Sequence, residues 1–284
     1  MLKITLKGGD VREVMENTTV EALCREISMG LFRAACAARF NGRVCDLRTP
    51  LTEDGVLEIL TFEDEDGRKA YWHTTSHIMA QAVKRLFPEA VFAIGPSVDN
   101  GFYYDFDLPR NLTPEDLEKI EAEMKKIIKE NLPLERFELP PQEARALMEK
   151  EGQIYKVELI DEHAGKGENI SFYRQGDFTD LCAGPHLMST GGVKAVKLLN
   201  CTGAYWRGDS TKKMLQRVYG VSFPKAAQLE EHLAQLEEAK KRDHNVLGRQ
   251  LGYFTTCDLI GQGLPILLPN GARVIQLLQR FVED

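Results

Sequence analysis

Two short-range pairs carry the side chains best suited to chemistry. His73 and His77 stand four apart in a proline-free stretch, so on a helix both rings point to one face. Cys182 and His186 are also four apart, but they bracket Ala183-Gly184-Pro185, which a regular helix does not accept. That pair therefore belongs on a turn. Imidazole and thiolate are zinc ligands, and these four residues together could build a tetrahedral site. Each pair alone also reads as an ordinary helix face or turn, and spacing alone does not bring the two together. Asp180, two residues before Cys182, could orient a histidine or hold a substrate amine. Lys156 follows Tyr155 in a stretch with few other basic residues. The plain alternative for both is surface charge. A zinc-peptidase helix needs Glu after its first histidine, and Thr74 follows His73. No GxxxxGK[ST] phosphate loop and no GxSxG elbow occurs.

The elements that must position these residues follow from periodicity. Leu2, Ile4 and Leu6 alternate as a strand, Gly8-Gly9 suits a hairpin turn, and Asn41-Gly42 marks a second hairpin. Thr18 with Glu21 reads as a capping box for a helix through Val20, Leu23 and Ile27. The run 56–60 closes the unit as a strand. These signals predict a small α+β domain over 1–62, of which the ubiquitin-like β-grasp is one example. The acidic run 63–67 reads as a connector. A helix is expected from about Ala70 to Phe87, stopped by Pro88, with short strands over 91–106. Thr113-Pro114-Glu115-Asp116 opens a helix to about Asn131, its Glu/Lys-rich face solvated. Strand-like runs lie at 170–173, 193–199 and 214–223. Pro224 ends this second domain, 63–224. Leu229, Leu233 and Leu236 predict a linker helix over 225–242, and a third unit over 243–284 ends on a helix through Val274, Ile275, Leu278 and Phe281.

Apolar residues make up 43% and charged residues 28% of the 284, the balance of a soluble, multidomain globular chain. No apolar run reaches the roughly 18 residues of a membrane span, and no signal-peptide core is present. A cytoplasmic protein is expected. The six cysteines contain no CxxC pair, so neither a disulfide framework nor a zinc ribbon is indicated. The net charge of −7 opposes nucleic-acid binding overall. Locally the balance reverses. Between Gly191 and Gly220 stand Lys194, Lys197, Arg207, Lys212, Lys213 and Arg217 against Asp209 alone, a basic patch that could meet a phosphate backbone.

Four words in order carry a resemblance: HTTSHIMAQAVKRLFP (73–88), GFYYDF (101–106), DLCAGPH (180–186) and LQRVYGVSFP (215–224). They closely resemble the second N-terminal domain of threonyl-tRNA synthetases of bacterial type. Residues 1–62 resemble that family's TGS domain, and DHNVLGRQLGYF with GLPILLPNGARVI resembles the start of its class II catalytic domain.

The resemblance implies an editing pocket of His73, His77, Cys182, His186 and Lys156, with Asp180, Gly184 and Tyr104 binding substrate. The implied reaction is hydrolysis of seryl-tRNA(Thr). Serine lacks one methyl of threonine, and a missing methyl supplies only about 1–3 kcal/mol of discrimination, so a second site must remove the mistake. His73 is the expected general base, Lys156 the group near the oxyanion or ribose, and Asp180 the partner of the serine ammonium. The resemblance also implies that editing requires no metal; His73, His77, Cys182 and His186 would be the ligands of any that bound. ATP, Mg and Zn belong to the family's catalytic region, of which only the first helix is recognisable, so no aminoacylation is expected. The expected partner is the tRNA(Thr) acceptor end, gripped by Lys194, Lys197, Arg207, Lys212 and Lys213. The chain is expected to be a monomer, whereas full-length relatives dimerise, and 243–284 is expected to pack loosely. Two other readings stay open: a non-catalytic acceptor-end binding module, and a zinc hydrolase of another ester.

Overall fold

The Leu2-Ile4-Leu6 alternation forms strand β1 (Leu2–Leu6), with Ile4 fully buried, and the Gly8-Gly9 turn returns the chain as antiparallel β2 (Val11–Val14). Helix α1 (Val20–Ile27) starts one residue later than the capping-box reading. Thr19, not Thr18, is its N-cap, accepting the Ala22 N–H at 3.2 Å. Thr18 is held instead by its backbone, which donates to Met15 and accepts from Leu51. Ser28 caps a further short helix, α2 (Met29–Ala34). Strands β3 (Ala35–Phe40) and β4 (Arg43–Cys45) flank Asn41-Gly42, and β5 (Gly55–Thr61) completes the sheet. The order β2-β1-β5-β3-β4, with β1 and β5 parallel and the other pairs antiparallel, is a β-grasp. Val20 and Leu23 of α1 pack on Ile4 and Leu57 in its core.

The acidic run after β5 is not a spacer. Glu65 and Asp66 form the first turn of α3 (Glu65–Leu86), where carboxylates suit the positive end of the helix dipole. A Cβ at Gly67 would lie 2.0 Å from the Thr61 carbonyl, so only glycine lets this turn press against the end of β5. Helix α3 is buried on almost every side from Ala70 to Val83, polar residues included. Those polar groups are satisfied one by one. Thr75 Oγ1 donates to the Tyr71 carbonyl, Ser76 Oγ to the Gly95 carbonyl, and Trp72 Nε1 to the Ser222 carbonyl.

Around α3 lies a sheet built from β6 (Val91–Phe92), β7 (Ser97–Val98), β8 (Gly101–Asp107), β12 (Ala195–Tyr205) and β13 (Met214–Phe223), in order β12-β13-β8-β6 with β7 also pairing β8. Helix α4 (Pro114–Glu130) begins in a complete capping box between Thr113 and Asp116. Its charged face is not wholly solvated: Glu121 is buried, accepting the Leu198 N–H at 3.2 Å. A third sheet, β11-β10-β9, uses β9 (Leu134–Leu139), β10 (Ile170–Gln175) and β11 (Phe178–Leu181). Ala144 and Met148 of α5 (Pro141–Lys150) and Ile160 of α6 (Ile154–Ala164) pack on its Phe172.

The structure, a computed structural model, describes residues 1–164, 169–261 and 263–284. The chain divides into two compact units, Met1–Leu229 and Glu230–Asp284, with α7 (Ala226–Lys241) spanning the division. The second unit holds α8 (His244–Gln250), the hairpin β14 (Phe254–Thr256) and β15 (Pro265–Leu267), and α9 (Pro269–Glu283). Among its described residues only Gly248 and Gly271 are buried, and Phe281 is 83% exposed.

Candidate active site

The two pairs meet. Helix α3 presents His73 and His77 on one face, and the segment after β11 lays Cys182 and His186 against them. Cys182 Sγ lies 3.3 Å from His73 Nε2 and 3.1 Å from His186 Nε2. The His73 and His186 rings are 4.2 Å apart, and the His77 and His186 rings 4.4 Å. The Gly184 N–H points at the sulfur, 3.3 Å away. His77 and His186 are buried, whereas His73 and Cys182 are partly exposed and form the open side. Beside Cys182 lies a cavity of about 250 Å³ lined by Ser171, Leu181 and Ala183 among others.

Thr74, which the sequence reading used only to set aside a zinc-peptidase helix, fixes the tautomer of His186. Its hydroxyl donates to the Ala70 carbonyl at 2.9 Å and accepts the Leu187 N–H at 2.9 Å. With its one proton used, Thr74 Oγ1 can only accept from His186 Nδ1, 3.2 Å away. This assigns the proton to Nδ1 and leaves Nε2 bare toward Cys182.

Electrostatics keep the cluster neutral. Burial, and then the neighbouring His77, lower His73 to about 3. Burial lowers His77 to about 4 despite Asp180, and takes His186 well below the ordinary range. Burial pushes the Cys182 thiol up to about 12. At neutral pH the site therefore offers three uncharged imidazoles and a protonated thiol. Such a thiol is a poor nucleophile, whereas bare imidazole nitrogens can take a proton or bind a metal. The four ligand atoms lie within 4.8 Å of one another, a donor set that fits zinc.

Asp180 has partners other than a substrate amine. Its Oδ1 pairs with Lys156 Nζ at 2.7 Å, and its Oδ2 accepts the Tyr104 hydroxyl at 2.6 Å, with His77 Nε2 at 3.7 Å. Burial alone would raise the Asp180 carboxyl, but the Lys156 charge and then His77 hold it below the usual range. Tyr104 is fully buried, so it supports the site from beneath and does not line its mouth. Gly184, at φ 75°, has a space-making role: a Cβ there would sit 2.2 Å from the Tyr173 hydroxyl.

The basic stretch is not a patch of one sign. The fold pairs Lys197 with Glu121 (3.1 Å), Arg207 with Glu158 and Glu162, and Lys212 with Glu158 (3.3 Å). Lys213 pairs with Asp107 and Arg217 with Asp105, each at 2.7 Å. All these carboxylates come from β8, α4 and α6, distant in sequence. Lys194 is exposed, and its Nζ donates to the Gly191 carbonyl.

Residues 2–61 match the TGS domain family, and residues 170–219 match the threonyl and alanyl tRNA synthetase second additional domain. A β-grasp of the first kind ahead of a domain of the second defines a portion of an aminoacyl-tRNA synthetase. The chain is 57% identical over its full 284 residues to a threonine–tRNA ligase of Clostridium perfringens (strain SM101 / Type A). Identity is 56% to that of Acetivibrio thermocellus and 55% to that of Clostridium botulinum (strain Eklund 17B / Type B), again over the full chain. The chain thus resembles threonine–tRNA ligases along its whole length, and it spans 44% of the length of these relatives. Among the described residues no helix is long and apolar enough to cross a membrane.

Proposed function

We propose that the cluster of His73, His77, Cys182 and His186 hydrolyses the ester joining serine to tRNA(Thr). The observation that supports this most is a neutral, partly exposed His73 imidazole 3.3 Å from Cys182, the one member of the cluster that lines the small cavity. In this reading His73 takes a proton from water as the water oxygen attacks the ester carbonyl. The tetrahedral intermediate then collapses, the ribose oxygen leaves and takes that proton, and serine and free tRNA result. Lys156, fixed by Asp180, biases the site toward negative charge, favouring the developing oxyanion. His77, Cys182 and His186 shape the pocket and hold the water. The buried, engaged Asp180 acts on substrate through Lys156 and not by meeting the ammonium.

The reading needs no metal, since a zinc ion on the four ligands would occupy the lone pair that His73 uses. Acceptor-end contact falls to Lys194, with Lys197, Arg207, Lys212 and Lys213 exchanging carboxylate for phosphate. The division into 1–62, 63–224, 225–242 and 243–284 belongs to the same proposal. So do monomeric state and cytoplasmic location, and aminoacylation with ATP, Mg and Zn by full-length, dimeric relatives. The test is serine release from seryl-tRNA(Thr) by the 284-residue chain and by His73→Ala, with threonyl-tRNA(Thr) as control. A serine-selective rate that falls about 100-fold or more in the variant is expected. Equal rates, with tRNA bound, would leave an acceptor-end binding module.

A further inference from the structure

The site has a partner in the first domain. Asp46 follows β4 and is 6% exposed although charged. Its Oδ1 accepts the Arg48 backbone N–H at 3.0 Å and pairs with Arg48 Nη1 at 2.7 Å. Its Oδ2 accepts the Tyr173 hydroxyl at 2.9 Å and the His186 backbone N–H at 3.4 Å. Arg48 Nη2 in turn donates to the Leu187 and Met188 carbonyls, both at 2.9 Å. Three consecutive residues, His186 to Met188, are thus gripped through their backbones by one turn of the β-grasp domain. Tyr173 closes the grip from the other side: its ring stands edge-on to His186 with centroids 4.4 Å apart. Its hydroxyl reaches Asp46 only because residue 184 has no side chain in the way.

A buried carboxylate costs free energy unless fully engaged, so a surface turn that keeps one buried, aimed at another domain's loop, needs a reason. A reacting group displaced by about 1 Å can lose about 100-fold in rate, and loops hold position less well than helices or strands. Cys182 and His186 are the site residues on a loop, whereas His73 and His77 ride on a helix. We propose that Asp46 and Arg48 are positioning residues for this site, so that the β-grasp domain is a structural part of it and not only a docking module. The kinetic half of this proposal rests on the hydrolytic reading above; the geometric half does not.

The experiment uses the full 284-residue chain as native protein, Asp46→Ala, Asp46→Asn and Tyr173→Phe. Two quantities are read: kcat and KM for seryl-tRNA(Thr), and the rate of Cys182 alkylation by iodoacetamide from peptide mass spectrometry. Buried Cys36 in the same digest reports the fold. Asp46→Ala is expected to lower kcat about tenfold with KM within about twofold, and to speed Cys182 alkylation about tenfold. Asp46→Asn, which keeps one acceptor oxygen, should fall between Ala and native. If Cys36 becomes reactive in the Asp46 variants, Tyr173→Phe, which removes one hydroxyl only, decides alone by the same two readouts. Cys182 alkylation within about twofold of native in the folded variants overturns the proposal. Should native protein release no serine, the hydrolytic reading falls, and alkylation still decides whether Asp46 positions the loop.

Discussion

Thr74 Oγ1 lies 3.2 Å from His186 Nδ1 and has no proton to give it, so one hydroxyl on α3 decides which imidazole nitrogen faces Cys182. Thr74→Val keeps the shape and removes the acceptor. Two buried donors, His186 Nδ1–H and the Leu187 N–H, would then lack a partner, at about 1–3 kcal/mol each. The variant should lose about 2 kcal/mol or more in urea unfolding. Imidazole nitrogen resonances should show the His186 proton no longer confined to Nδ1. An unchanged tautomer would remove Thr74 from the account of the site.

The acid side of the pH profile should lie lower than an ordinary histidine gives. His73 is depressed to about 3, so serine release should hold from pH 8 down to about 5 instead of failing near 6.5. Stability follows the same groups. Their folded values lie below the unfolded one near 6.5, so the unfolded chain binds more protons between about pH 4 and 6.5. Stability is present above 6.5 and declines as the pH falls through that window. Urea midpoints at pH 7 and pH 5 check this; a higher midpoint at pH 5 would contradict it.

Added zinc and chelators should act in opposite senses to a metalloenzyme. Ligand atoms within 4.8 Å invite Zn²⁺, and its coordination would consume the His73 lone pair. Dialysis against EDTA should leave serine release intact, and micromolar zinc should suppress it. Loss of activity on chelation, restored by one equivalent of zinc, would make the site a metal centre.

The Lys156–Asp180 pair is buried on both sides, so breaking it is costlier than omitting it. Asp180→Asn strands a buried ammonium and should cost about 3–5 kcal/mol in urea unfolding. Asp180→Leu with Lys156→Met should recover most of that loss. If both variants lose the same amount, the pair contributes through packing alone.

What the sequence disclosed follows the range of the interactions. The His73–His77 face depends on helix geometry over four residues, and the Asn41-Gly42 and Thr113–Asp116 signals are equally local. The start of α3 escaped because its first turn, Glu65 to Lys69, is charged apart from Gly67 and carries no apolar residue from which a 3.6-residue period could be read. Asp46, Tyr173 and Thr74 gave no signal at all, since each acts across more than 100 residues of chain. The pairing of the basic stretch was hidden for the same reason: its carboxylate partners arrive from three other elements.

The junction at Gly67 has a consequence for how the chain melts. Asp64 caps the end of β5 by accepting the Thr61 N–H, and Arg39 of β3 pairs with Asp66 across the joint. Cys36 and Phe62 pack into the same apolar core as Tyr71 and Trp72. There is no hinge here for one domain to loosen on while the other stays folded. Calorimetry should therefore find the β-grasp and the domain bearing the histidines sharing a single heat-absorption peak, a cooperative body whose parts are named separately but come apart together.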